Sequence, residues 1–304
     1  MAEGRPSRSA QLAWGAVVVI LLGAVGLVTY ALTHVSSPTA PALPAVTSPA
    51  VLATLSSVPN STFDDAGATA PGTVLTPPTV LSGQPPLTVG GKPEVLFVGA
   101  EYCPFCAAER WPLVLALARF GKFTALHDAV SSAQTVFPST ATFSFVGVAY
   151  TSRWVALTGV ELFSDQAGPN GAFRRLARLT PAQAAVVART APMAGGLSAG
   201  GTPFLDVAGR LTTTTSGFSP ALLAGQSQAQ IADAAASPTP SASAGDTGTT
   251  TPPTGQAVLA VANQLSAGIC EATGQRPASV CQSKGVLAAD TALGLSRPGT
   301  STGA

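Results

Sequence analysis

Two residues separate Cys103 from Cys106 in the string Cys103-Pro104-Phe105-Cys106. Thiols at that spacing lie about one helical turn apart, near enough to form and exchange a disulfide with each other. The string follows Glu94 to Gly99 (EVLFVG), a short unbroken apolar run of the kind that is buried on both faces of a sheet. It opens a stretch, Ala107 to Phe120, in which Trp111, Val114, Leu115 and Ala118 recur at helical spacing, with Pro112 placed to kink the helix and Gly121 to stop it. A cysteine at a strand-to-helix junction meets unpaired backbone N–H groups and the positive end of the helix dipole, and both favour thiolate over thiol. Cys103 is therefore the expected nucleophile and Cys106 the thiol that resolves a mixed disulfide. Pro104 suits the first helical turn and stiffens the link between the sulfurs. Phe105 stands with it on the substrate side. A second candidate element, Thr202-Pro203, precedes the apolar run Phe204-Leu205-Asp206-Val207 about 100 residues later.

The chain has four cysteines, and the remaining two are Cys270 and Cys281. Gly274 and Pro277 lie between them, so the segment reads as a loop. A disulfide closing it contributes about 3 kcal/mol in the chain-entropy model. A structural staple is the leading reading, and a second redox pair exchanging with Cys103–Cys106 is the alternative. A zinc site built on Cys103 and Cys106 would have to draw on Cys270, Cys281, His34 and His127, and the ten-residue gap is unlike the usual two to four. No metal and no cofactor are expected. Glu101, two residues before Cys103, is a candidate for proton transfer. Glu109 and Arg110 are expected on the solvated face of the motif helix, Trp111 in the core and His127 at the surface. Ser/His/Asp sets, phosphate loops and EF-hand patterns are missing from the sequence. Charged residues make up only 10% and the net charge is +1, which supplies no basic face for nucleic acid.

The cysteines need an oxidising compartment if they are to form disulfides, and the N-terminus bears on that. Trp14 to Leu32 is an uninterrupted apolar run whose helix would span about 28 Å, close to the hydrocarbon thickness of a bilayer. Arg5 and Arg8 precede it, and no Lys or Arg follows until Lys92. The positive-inside rule then puts residues 1–13 in the cytoplasm, a transmembrane helix at 14–33 and the rest outside. A cleaved signal peptide is the competing reading; its apolar core would be shorter and would end at a small-residue site. Residues 34–60, with Pro and Ser clusters and almost no charge, read as a disordered tether. The folded domain is expected over 61–290, with a low-complexity insert at 236–254 and a disordered tail at 291–304.

Within the domain, a second buried strand is expected at Thr142 to Ala149, and a loop from Leu162 through Gly168-Pro169-Asn170-Gly171. Thr180-Pro181 reads as N-cap and first helical residue of a helix to about Thr190. Ala208-Gly209 reads as a hairpin turn between strands. Ser219-Pro220 opens a helix to Ala235, and a last helix from Gln256 to Ala267 delivers Cys270. The order is strand, cysteine motif, helix, strand, helix, Pro-led strand, hairpin strand, helix. This is an α/β chain whose element order matches the thioredoxin-like sheet flanked by helices.

The strings GAEYCPFCAAERWPLVLALARFGKF, FSFVGVAYTSRWVALTGVEL and GGTPFLDVAGR resemble domain-of-unknown-function family 929 over roughly residues 90–290. The resemblance implies a thioredoxin-like, often membrane-anchored protein with a thiol–disulfide role, and it implies no particular substrate. In thioredoxin-like proteins a cis-proline faces the active disulfide, which assigns Thr202 and Pro203 to the substrate groove. The motif is also similar to those of glutaredoxins and DsbA-type oxidants, with Phe105 where the latter carry a histidine. The expected activity is an extracytoplasmic thiol–disulfide oxidoreductase. Its expected partners are protein thiols and disulfides, a membrane redox partner (a quinone-linked oxidase or an electron conduit) and the bilayer through residues 14–33. The alternative is a non-catalytic binding or chaperone module of the envelope whose disulfides are structural.

Overall fold

The computed structural model describes residues 44–197, 201–237 and 253–295. The expected span at 14–33, the insert from 238 to 252 and the tail beyond 295 lie outside them. No helix among the described residues is long and apolar enough to cross a membrane.

The stretch expected as a tether is structured from residue 44 onward. Residues 45–47 run antiparallel beside the strand that holds His127, with Thr47 N–H donating to the Leu126 carbonyl at 2.8 Å and Asp128 N–H to Ala45 at 2.7 Å. Helix α1 (Pro49–Ser57) follows, capped by the Ser48 hydroxyl with Pro49 in its first turn. Its Val51 and Leu55, four residues apart, are buried in the main core. Burial of each contributes about 1.5–3 kcal/mol. Low charge and scattered prolines suggested a linker, but one apolar pair at helical spacing is enough to dock a capped nine-residue helix. Helix α2 (Asn60–Ala66) comes next and buries Phe63.

Two short strands, β1 (Thr79–Val80) and β2 (Thr88–Val89), lead into β3 (Lys92–Gly99), the strand that delivers the cysteine motif. Helix α3 (Pro104–Ala118) departs from it. The antiparallel ribbon of β4 (Lys122–Val130) and β5 (Ala141–Thr151) follows, then β6 (Ala156–Glu161). Strands β7 (Phe163–Ala167) and β8 (Phe173–Arg175) form a small hairpin across the expected glycine-rich loop. Helix α4 (Pro181–Thr190) starts with the expected cap: the Thr180 hydroxyl accepts from Gln183 N–H and the Gln183 side chain accepts from Thr180 N–H.

The main sheet is mixed. Strand β3 runs parallel to β6, with Val95 opposite Leu157 and Val98 opposite Val160, and antiparallel to β9 (Phe204–Val207), with Val98 opposite Phe204. Strand β10 (Leu211–Thr213) and then β1 continue the sheet beyond β9, and β2 pairs with the start of β3. The β9–β10 turn is the expected one: Ala208 and Gly209 both take positive φ, and Asp206 Oδ1 accepts the Gly209 N–H at 2.6 Å.

The parallel partner of β3 differs from the expected one. Thr142 to Ala149 forms part of β5, which pairs with β4 in a separate ribbon and is buried only from Thr142 to Phe145. The true neighbour, β6, carries Thr158 and Gly159 and is mostly half-buried, so it lacks the apolar run that marks a central strand. Gly159 serves the packing: a Cβ there would sit 2.5 Å from the Cβ of Phe145 on β5.

Alternate residues of β3 face opposite layers, as the pleat requires. Val95 and Phe97 join the large core with α3 residues, and Leu96 and Val98 join Val186 and Val187 of α4. The expected helix from Ser219 is split: a 3-10 turn at Pro220–Leu223, then Gly225 at positive φ, then α5 (Gln228–Ala236) with its own Ser227–Gln230 capping box. Helix α6 (Thr254–Ala272) is buried from Ala257 to Cys270 and packs on α3 and α5. Two helices that periodicity did not mark, α7 (Ala278–Cys281) and α8 (Lys284–Leu293), close over it. Cys270 of α6 and Cys281 of α7 are disulfide-bonded, with Cα atoms 5.5 Å apart.

Candidate active site

The site starts where β3 ends. Cys103 adopts an extended backbone, φ −82° and ψ 120°, and is the N-cap of α3. Its Sγ accepts the Cys106 N–H at 3.2 Å, so the sulfur does what a capping hydroxyl does elsewhere. Pro104 fills the first helical position, where no N–H is needed. Cys103 and Cys106 are free thiols. Both cysteines are buried; Cys103 is 5% exposed and Cys106 fully enclosed.

The same geometry separates their acidities. Cys103 is lowered to about 7, first by its hydrogen bond with the Cys106 thiol, then by the Cys106 N–H, the positive charge of Arg110 and the Thr202 hydroxyl, which together outweigh the opposing effect of burial. Lowering favours the thiolate, the form that attacks a disulfide. Cys106 is pushed up, first by burial and then by its hydrogen bond to, and the negative charge of, Cys103.

Thr202 and Pro203 lie beside the cysteine motif. The register that sets Phe204 opposite Val98 brings the residues before β9 to the exit of β3, where the cysteine motif begins. The Thr202–Pro203 bond is cis, both residues are buried, and the Thr202 hydroxyl hydrogen-bonds to Cys103 and to Tyr102. Aromatic side chains rim the motif. Tyr102 stacks on Phe173 of β8 with ring centroids 4.2 Å apart, and Phe105 meets Phe137 of the β4–β5 loop edge-on at 5.9 Å. All four are half-buried.

Three expectations about charged residues need correction. Glu109 and Arg110 are not on a solvated face; both are fully buried. Arg110 pairs with Glu161, the last residue of β6, through Nε at 3.0 Å and Nη2 at 2.6 Å. Glu109 accepts the Gly217 N–H at 2.8 Å and is raised to about 8 by burial. His127 is also buried, in β4 beneath the 45–47 segment, where the Nδ1 atom has no hydrogen-bond partner. The missed signal lies in α3 itself. A helix apolar on every side is a buried helix, so the two charges it carries had to be buried with it. Trp111 is in the core as expected, its Nε1 donating to the Ala141 carbonyl at 3.0 Å.

Glu101 is buried beside the motif. Burial raises its pKa, the hydrogen bond from the Ser144 hydroxyl at 2.5 Å opposes that, and the nearby Glu161 carboxylate raises it further. Cys270 and Cys281 are not free thiols; they are bonded to each other. Among the described residues, no three His, Cys, Asp or Glu side chains converge to hold a metal.

Residues 79–161 match the family model described as Domain of unknown function (DUF929). The resemblance to family 929 is shown over that segment. The match runs from β1 to the end of β6 and takes in Cys103, Cys106, Arg110 and Glu161, while Thr202 and Pro203 lie beyond it. Among curated proteins and among solved structures, nothing matches the chain.

Proposed function

We propose that the chain is a thioredoxin-like thiol–disulfide oxidoreductase acting on protein thiols through Cys103 and Cys106. The observation that carries this reading is the asymmetry of the pair: Cys103 is lowered at a helix N-cap, and Cys106 is raised and fully enclosed at the start of the same helix. Two further features support it. The main sheet has the order β6-β3-β9-β10 with only β6 parallel to β3, and a cis-proline segment faces the nucleophile.

The chemistry follows from the two acidities. The Cys103 thiolate attacks one sulfur of a substrate disulfide. That S–S bond breaks, a Cys103–substrate disulfide forms, and the departing thiolate takes up a proton. Once Cys103 is neutral in the mixed disulfide, one of the causes holding Cys106 protonated is gone. Cys106 loses its proton and attacks the Cys103 sulfur, forming Cys103–Cys106 and releasing the second substrate thiolate. Two electrons pass from the pair to the substrate; the reverse sequence oxidises a dithiol. A membrane redox partner, quinone-linked oxidase or electron conduit, restores the starting state. The reading places this domain outside the cytoplasm, anchored by residues 14–33.

The test is a Cys106→Ala chain expressed in cells and isolated under acid quench. It is expected to carry covalent, reductant-sensitive adducts on Cys103, which the Cys103→Ser chain lacks. Recovery of no adduct on Cys103 would count against the enzyme and in favour of a binding module.

A further inference from the structure

Arg110 is 0% exposed, and its contacts leave little freedom. Glu161 holds it in a two-point fork, and Nη2 also donates to the Ala100 carbonyl at 3.1 Å. Glu161 is itself fixed, since its Oε1 also accepts the Phe145 N–H at 3.2 Å. The strand makes room for the guanidinium at Gly99, where a Cβ would strike the Phe97 ring and lie 3.1 Å from Nη2. The remaining nitrogen, Nη1, is buried without a hydrogen-bond partner.

The cluster connects to both cysteines through one residue. The Ala100 carbonyl that accepts from Arg110 also accepts the Cys103 N–H at 3.2 Å, and the Ala100 N–H hydrogen-bonds to Cys106. The attraction of Arg110 acts on both sulfurs and on Glu101. Burial raises the effective strength of such interactions. A buried ion pair is a weak device for stability alone, because well-packed apolar side chains of similar volume serve as well or better.

We propose that Arg110 is the fixed counter-charge of the Cys103 thiolate, and that Glu161 is the buried carboxylate that partly offsets its charge at the sulfur. The inference rests on the oxidoreductase reading for its purpose. The step it governs is the loss of the Cys103 proton to water, leaving the sulfur anion beside a cation that does not reorganise. The groups that face Cys103 are Cys106 on its own helix, Tyr102 on the preceding loop, Thr202 from the segment before β9, and Arg110. The carboxylates nearby are Glu161, paired with Arg110, and Glu101, on which Glu161 and Asp165 act.

The test uses the reduced full chain. The rate of Cys103 alkylation by iodoacetamide is followed against pH by peptide mass spectrometry. The wild-type midpoint is expected at about 7. Arg110→Gln should raise it by about one pH unit or more. Glu161→Gln leaves the cation without its carboxylate and should lower it. Arg110→Lys should return it toward wild type. Should Arg110→Gln not fold, Arg110→Gln/Glu161→Gln removes both charges at nearly constant shape and should still raise it. Opposite signs for the two single variants separate a counter-charge from a structural brace, which would move both the same way. An unchanged midpoint in folded Arg110 variants, or shifts of the same sign, would overturn the proposal. Alkylation reads one sulfur only. A chain with these shifts that never exchanges disulfides would remove the enzyme reading and leave this one, and the converse result would remove this one alone.

Discussion

Replacing Glu109 with Gln should change how stability depends on pH. Glu109 is fully buried in α3, accepts one hydrogen bond, from Gly217 N–H, and is raised from 4.5 to about 8 by burial. Its native pKa lies above its unfolded value, so the native chain binds more protons between about pH 4.5 and 8. The contribution of the neutral group is full below the unfolded value and is lost as pH rises to about 8. At roughly 1.4 kcal/mol per unit, the whole window amounts to about 5 kcal/mol. Glutamine does not titrate, and its oxygen can still accept from Gly217. Its amide hydrogens add buried donors at a cost of about 1–3 kcal/mol. Glu109→Gln should therefore be no more stable than wild type at pH 5, and more stable by a few kcal/mol at pH 8. Urea unfolding of both chains at pH 5, 6, 7 and 8 measures the difference, in which every other titrating group cancels. A difference that does not vary with pH would refute the argument that this carboxyl is neutral and buried.

Two other variants probe the frame around the site. Gly159→Ala places a methyl group 2.5 Å from the Phe145 Cβ and should destabilise by about 1–3 kcal/mol, read as a lower urea midpoint with an unchanged slope. Replacing Cys270 and Cys281 together with Ala should lower stability by about 3 kcal/mol while leaving the alkylation profile of Cys103 in place; a changed profile would instead mark them as a second redox pair.

The parts of the fold that could be read in advance are those where local chemistry and position agree. EVLFVG is apolar at every core position because β3 is covered on both faces, and the cysteines follow at the junction where a helix must begin. The Thr180-Pro181 cap and the Ala208-Gly209 turn act within four residues and need no tertiary help. What escaped were features defined by long-range packing. Strand β6 is central by pairing but only half-buried at Ala156 to Gly159, so its own pattern is weak. Helix α1 depends on two residues docking into a core made elsewhere. Arg119 illustrates the same limit. It reaches Asn60, Asn263, Ser266 and Ser283, joining α2, α6 and α8 to the end of α3, and nothing in its neighbourhood in the chain announces those partners. The burial of Glu109 and Arg110 was legible in principle, from the uniformly apolar helix around them, but the usual solvated placement of adjacent charges argued the other way.

The central claim is that Cys103 and Cys106 cycle between dithiol and disulfide. The most direct measurement is the reduction potential of that pair in the full chain, equilibrated in glutathione buffers of graded composition and read by thiol trapping at each cysteine. The account predicts a reversible two-electron transition between about −120 and −270 mV, the range of disulfide donors, isomerases and reductants. A pair that remains bonded in buffers poised below about −300 mV, or that forms no bond under any of them, would contradict it.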